Sequence, residues 1–184
     1  MKSLRVMLQA VTNEFIRERL NDQVSEIFKL RDQYCHQIEL CALASDTDNY
    51  NCFAYCFGIS HSDNVQRLAK QFNIIPDSEY AHYLIDQVLE AVMPDSVDDG
   101  DYIIYISRGK VTHAGIYARG IITSKWGGHG HLWRHAVWEV PESYGDEVEY
   151  YRQLHNRDCE TTYLDWVKKR HKVIATYSQQ GHCA

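Results

Sequence analysis

Pro94 divides the chain into two kinds of periodicity, and that switch constrains the fold more than any other feature. Downstream of it, short runs rich in β-branched and aromatic residues follow one another with only a tight turn between. Asp101–Ile106 (DYIIYI) reads as a strand, Arg108-Gly109-Lys110 as a turn and Val111–Ala118 (VTHAGIYA) as a second strand. Arg119-Gly120 turns the chain into Ile121–Lys125 (IITSK), and a glycine- and histidine-rich loop leads to Arg134–Val140, which Pro141 ends. Strands this closely spaced leave no room for a crossover, so the runs predict an antiparallel meander. Upstream the period is helical. Val6, Phe15, Leu20, Val24, Ile27, Phe28 and Leu30 recur at three-to-four spacing, which predicts helix through the stretch 3–45. Further helices are expected over Ser62–Phe72 and Ser78–Val92, and again over Tyr144–Tyr151 and Thr161–Val173. No repeat, low-complexity stretch or long linker interrupts this order. Helices, meander, helices over 1–184 predict one α+β domain.

Charge removes several classes of function. The net charge is −6 over 184 residues, which argues against nucleic acid as the main ligand and against anionic membrane surfaces. Six cysteines in a chain of this length are too sparse for a disulfide framework. The segment MKSLRVMLQAVTNEF reaches Asn13 and Glu14 before any small-residue cleavage site, and no later run is apolar enough to span a membrane. A reduced, cytoplasmic protein is the expectation, with export by a signal-less route left open.

Two residues stand out for chemistry. Ser45–Asn51 (SDTDNYN) is a loop of helix-capping residues that leads into CFAYCFG, a short apolar run closed by Gly58. Cys52 therefore opens a helix, where unpaired N–H groups and the dipole lower a thiol pKa. Cys56, one turn later, points to the core. His113 begins a strand after a tight turn, where an imidazole can serve a cysteine as general base. Taken singly, a buried cysteine is usually a small hydrophobe and a strand-start histidine a rim residue.

Together they form a pattern. DDGDYIIY, a turn and then THAGIY, with Asn51-Cys52 some sixty residues upstream, resemble the NlpC-type and CHAP group of papain-like cysteine amidases and peptidases. The resemblance covers roughly 49–125, with core motifs to about 140. It implies a papain-like fold in which the nucleophile opens a helix packed on an antiparallel sheet and the base begins the second strand. By this match Cys52 is the nucleophile, His113 the base, and Gly100-Asp101 the turn that launches the first strand. Phe53 departs from the small residue that often follows the nucleophile. The residue that orients the base falls at Ser124 or Lys125, with His135 the other candidate. A charged lysine cannot accept the hydrogen bond, which favours Ser124. GIITSKWG followed by HLWRHAVWEVPESYG also resembles a bacterial branch of this fold with a Ser-Lys-x-Gly strand end and a following histidine.

The expected chemistry is attack of the Cys52 thiol on an amide of a peptide, a peptidoglycan stem or a glutamine side chain, with no metal and no cofactor. Tyr50 and Asn51, just upstream, are candidates to assist the oxyanion. Trp126 and His131, in a mobile aromatic loop with His129, Trp133 and Trp138, are candidates to shape the substrate groove. His131 and His135 have a spacing that also suits a metal, so a zinc hydrolase is a further reading. Another is a non-catalytic module that holds a partner with the same loop. Asp95–Asp99 reads as a solvated turn, Asp146, Glu147 and Glu149 as the charged first turn of a helix, and WVKKRHK as a basic helix end.

Overall fold

The computed structural model describes residues 2–15, 19–45 and 50–170. Side-chain caps start most of the helices. The Ser3 hydroxyl accepts from the Val6 N–H to begin α1 (Leu4–Glu14), which is followed by α2 (Leu20–Tyr34). A first strand, β1 (Glu39–Ala42), comes next. Asn51 caps the short α3 (Cys52–Cys56), Ser62 caps α4 (Asp63–Phe72), and Asp77 caps α5 (Ser78–Gln87). Gly58, at φ 66°, lets the chain leave α3, and a Cβ there would lie 2.3 Å from Asn156. The strands β2 (Ala91–Val92), β3 (Tyr102–Ser107), β4 (Lys110–Ala118), β5 (Ile121–Lys125), β6 (Leu132–Ala136) and β7 (Glu147–Tyr151) precede the last helix, α6 (Asn156–Arg170).

The strands form one antiparallel sheet of seven, in the order β1-β6-β5-β4-β3-β7-β2. The meander is as expected. Three segments read as helix are not. Glu39–Ala42 is an edge strand on β6, Ala91–Val92 pairs with β7, and Glu147–Tyr151 lies between β3 and β2. In β7 the alternation Glu147-Val148-Glu149-Tyr150 sends the two apolar side chains to one face, a period of two that outweighs the acidic start. Asp146, Glu147 and Glu149 therefore charge a strand and not a helix. The fourth meander strand is also shifted, to Leu132–Ala136. The capping residues 46–49 and the basic run beyond Arg170 lie outside the described residues.

Alternation along β3 divides the core in two. Tyr102, Ile104 and Ile106 pack with α3, α4, α5 and α6. Ile103 and Tyr105 face the other way, toward α1, α2, Trp126 and Trp133. Asp101, buried just before β3, accepts from the Asp98 and Gln153 N–H groups and from Arg152 Nη1 at 2.9 Å. That pairing ties the start of β3 to the chain after β7, as the expected turn at Gly100-Asp101 requires.

Candidate functional site

An irregularity in the β3–β4 ladder places the key histidine. Tyr105 lies opposite His113 and Ile106 opposite Val111, so Thr112 is an extra residue, a β-bulge. Without it Val111 and His113 would share a face. With it Val111 packs among α3–α6, while the His113 ring turns to the opposite side and meets Tyr105 and Tyr144. The ring stacks on Tyr144, with centroids 3.9 Å apart and planes 18° from parallel. It is 1% exposed, and neither ring nitrogen has a hydrogen-bond partner among the described residues. Burial and the nearby His135 ring hold its pKa well below the usual imidazole value.

Cys52 reaches the same strand, β4, from the side on which α3 packs. The β4–β5 ladder runs only over Ile116–Ala118 and Ile121–Thr123, and α3 packs where the two strands part. Asn51 fixes the start of α3. Its Oδ1 accepts from the Ala54 N–H at 3.1 Å and its Nδ2 donates to the Pro76 carbonyl at 2.6 Å. The Cys52 sulfur then takes backbone N–H groups from Ala114, Phe53 and its own residue. Ala114 is the neighbour of His113, so the sulfur is moored to the strand that carries the imidazole. A thiolate at Cys52 would reach the buried Tyr144 phenol, whose hydroxyl has no well-formed hydrogen bond among the described residues. Cys56 Sγ, one turn on, donates to the Gly115 carbonyl at 3.1 Å and is buried as expected.

The expected low thiol pKa is corrected here. Cys52 is only 7% exposed, and burial pushes its thiol up to about 12 despite the three N–H donors. Desolvation of the thiolate outweighs two N–H groups of the first helical turn and one of β4. With the imidazole lowered as well, both Cys52 and His113 rest neutral.

Ser124 and His135 are brought together, with each other. His135 Nδ1 faces the Ala136 carbonyl at 2.8 Å, which can only accept, so Nδ1 carries the proton. Nε2 is then the acceptor for the Ser124 hydroxyl at 2.8 Å, and Ser124 in turn accepts from the Trp126 indole N–H at 3.2 Å. Ser124 is thus committed to His135, and the stacked Tyr144 ring is what positions His113. Burial lowers His135 to about 4.

Nor does the Trp/His loop present the side chains expected of it. Trp126 and His131 are each 1% exposed. His131 Nδ1 accepts from the Ala44 N–H and Nε2 donates to the Leu20 carbonyl, both at 2.8 Å. Lys125, also buried, donates to the Gly130 carbonyl at 2.7 Å and lies 4.4 Å from the Tyr50 ring. Gly130 is required here, because a Cβ would stand 1.5 Å from the Trp126 carbonyl oxygen. Among the described residues no three His, Cys, Asp or Glu side chains converge to hold a metal, and no helix is long and apolar enough to cross a membrane.

Residues 41–152 match the family described as Domain of unknown function (DUF7689). The chain belongs to that family. No curated protein and no solved structure matches it. The DUF7689 region runs from β1 to the residue after β7 and holds Cys52, His113, Ser124, Trp126, His131, His135 and Tyr144, while α1, α2 and α6 fall outside it. Tyr144 and the Thr112 bulge escaped the sequence reading. Pro141 and Gly145 bracket Tyr144 and signal a turn, although the segment from Tyr144 read as helix.

Proposed function

We propose that the chain is a papain-like cysteine hydrolase of the NlpC/CHAP type that cleaves or deamidates an amide through an acyl-enzyme. One observation carries the reading. The Cys52 sulfur is moored to the backbone beside a buried imidazole neither of whose nitrogens is bonded. Burying an imidazole with both nitrogens empty costs free energy that the fold does not recover, and such groups mark sites where a proton is to be handled. The order of elements agrees with the resemblance, since the cysteine-bearing helix packs on the meander and the histidine lies on its second strand.

The neutral pair sets the mechanism. As the thiol attacks the amide carbon, a C–S bond forms and the thiol proton passes to His113. The oxyanion is met by first-turn N–H groups of α3, those of Cys52 and Phe53. His113 then gives the proton to the leaving nitrogen as the C–N bond breaks. Water hydrolyses the thioester and returns the thiol. The substrate class is an amide in a peptide, a peptidoglycan stem or a glutamine side chain, and the chemistry calls for no cofactor.

Two reagents test this. Iodoacetamide should label the exposed Cys35 and Cys41 before the buried, neutral Cys52. An activated acyl donor, p-nitrophenyl acetate, should instead acetylate Cys52, read by peptide mass spectrometry. His113→Ala should slow that acetylation by about 100-fold or more while leaving Cys35 and Cys41 unchanged. Acetylation of Cys52 that is no faster than that of Cys35, or that is indifferent to His113, overturns the proposal.

A further inference from the structure

A cavity of about 220 Å³ lies between the two N-terminal helices and the glycine-rich loop. Phe15, Leu20 and Trp126 give it apolar walls, loop 127–130 closes one side with backbone, and Thr12 and Gln23 supply its polar atoms. The loop is pinned at its neck by the Trp126 N–H to His131 carbonyl bond at 3.0 Å and by Lys125 on Gly130.

Gln23 is the informative residue. It is 1% exposed, and its Nε2 donates to the Phe15 carbonyl at 3.3 Å. A carbonyl only accepts, which fixes the amide orientation and leaves Oε1 as an acceptor. That Oε1 has no partner among the described residues, and neither has the buried Thr12 hydroxyl. A buried amide oxygen left empty costs the fold its desolvation without return. The lining carries no carboxylate, lysine or arginine, and its one ionisable side chain, His129, is exposed. Nothing there would neutralise a charged ligand. An apolar cavity of about 150 Å³ admits a benzene ring, so this one has room for a ring and a polar substituent.

We infer that this cavity binds an uncharged, single-ring group bearing an O–H or N–H donor, with the ring against Trp126 and Phe15 and the donor on Gln23 Oε1. Binding does not depend on the cysteine chemistry. The two sites nevertheless share Trp126, whose indole N–H holds Ser124 and whose ring lies 6.2 Å from Tyr144.

The test titrates the whole chain with phenol and with toluene, which has similar shape and no donor, and follows backbone and side-chain amide resonances. Toluene leaves water more readily, so hydrophobicity alone favours it. Phenol should instead bind at least roughly fivefold tighter, with shifts confined to α1, α2 and 126–130. Gln23→Leu should abolish or invert that preference. Thr12→Val, which keeps shape and drops the hydroxyl, should weaken phenol and spare toluene, and it carries the test where the Gln23 variant does not fold. Toluene binding as tightly as phenol, absence of saturable binding by phenol, shifts elsewhere, or a preference unmoved in both variants overturns the inference.

Discussion

Four histidines are buried among the described residues, and they divide three to one. His36 donates from Nε2 to the Ile27 carbonyl at 2.9 Å and accepts at Nδ1 from the Ile38 N–H at 3.1 Å. His131 spans Ala44 and Leu20, and His135 spans Ser124 and Ala136. In each the neutral tautomer is satisfied at both nitrogens, and the ring fastens segments together. His113 is as deeply buried and satisfied at neither. The first kind of histidine repays its desolvation by holding the fold. The second adds cost to the fold, and its place in a tight aromatic stack, next in sequence to the residue whose N–H bonds the Cys52 sulfur, supports the proposed chemistry.

Acid should produce the largest effect, and it acts on both kinds. A histidine whose folded pKa is lowered leaves stability unchanged while both states are neutral. Below about 6.5 the unfolded chain takes up the proton and the folded chain does not, so stability falls until the folded value is reached. For His135, lowered to about 4, this amounts to about 3 kcal/mol between pH 6.5 and pH 4. His113, lowered by burial and by His135, adds to the loss as the pH falls below about 6.5. At the other end, Cys52 raised to about 12 takes stability away as pH climbs above 9, where the unfolded thiol ionises first. Urea titrations from pH 4 to 10 should give a plateau near 6.5–9 with losses on both sides. A flat profile down to pH 4 would mean that these rings are not buried neutral.

Next come substitutions in the satisfied group. Ser124→Ala removes the donor to His135 and the acceptor for Trp126, leaving two buried nitrogens empty. His131→Ala frees the Ala44 N–H and the Leu20 carbonyl and opens a void. Each should cost about 2–4 kcal/mol in equilibrium unfolding. Losses under 0.5 kcal/mol would remove the distinction between fastening histidines and His113.

How much of this was legible beforehand depended on range. The meander was readable because its alternation and turns are local, and the cap at Asn51 and the stop at Gly58 placed Cys52 at a helix start. β1 and β2 were not readable. A two- or four-residue edge strand has almost no period of its own and exists only because β6 or β7 lies beside it. The raised thiol pKa is hidden from the sequence for a related reason. The helix start is a local signal, while the burial that outweighs it comes from strands sixty residues away. Cys52 and His113 could be paired by pattern. The Thr112 bulge that decides which face His113 takes, and the Tyr144 stack that holds it, arise only in the folded sheet.

The smallest change in stability is expected from the variant that separates the two kinds of histidine most cleanly. His113→Phe keeps a flat ring against Tyr144 and removes two buried nitrogens that have no partner among the described residues. At pH 7 it should leave stability unchanged or raise it by up to about 1 kcal/mol, because no partner is orphaned. The same change at His135 would strand Ser124 and the Ala136 carbonyl and should cost about 2–4 kcal/mol. His113→Phe should also flatten the acid limb of the stability profile, since its share of the proton linkage is gone, and it should lose acetylation of Cys52. A stable fold, weaker acid sensitivity and a silent cysteine are the joint signature of an imidazole retained for proton transfer. Should His113→Phe instead destabilise the protein as much as His135→Phe, then His113 fastens the fold like the others, and the case for Cys52 as a nucleophile loses its base.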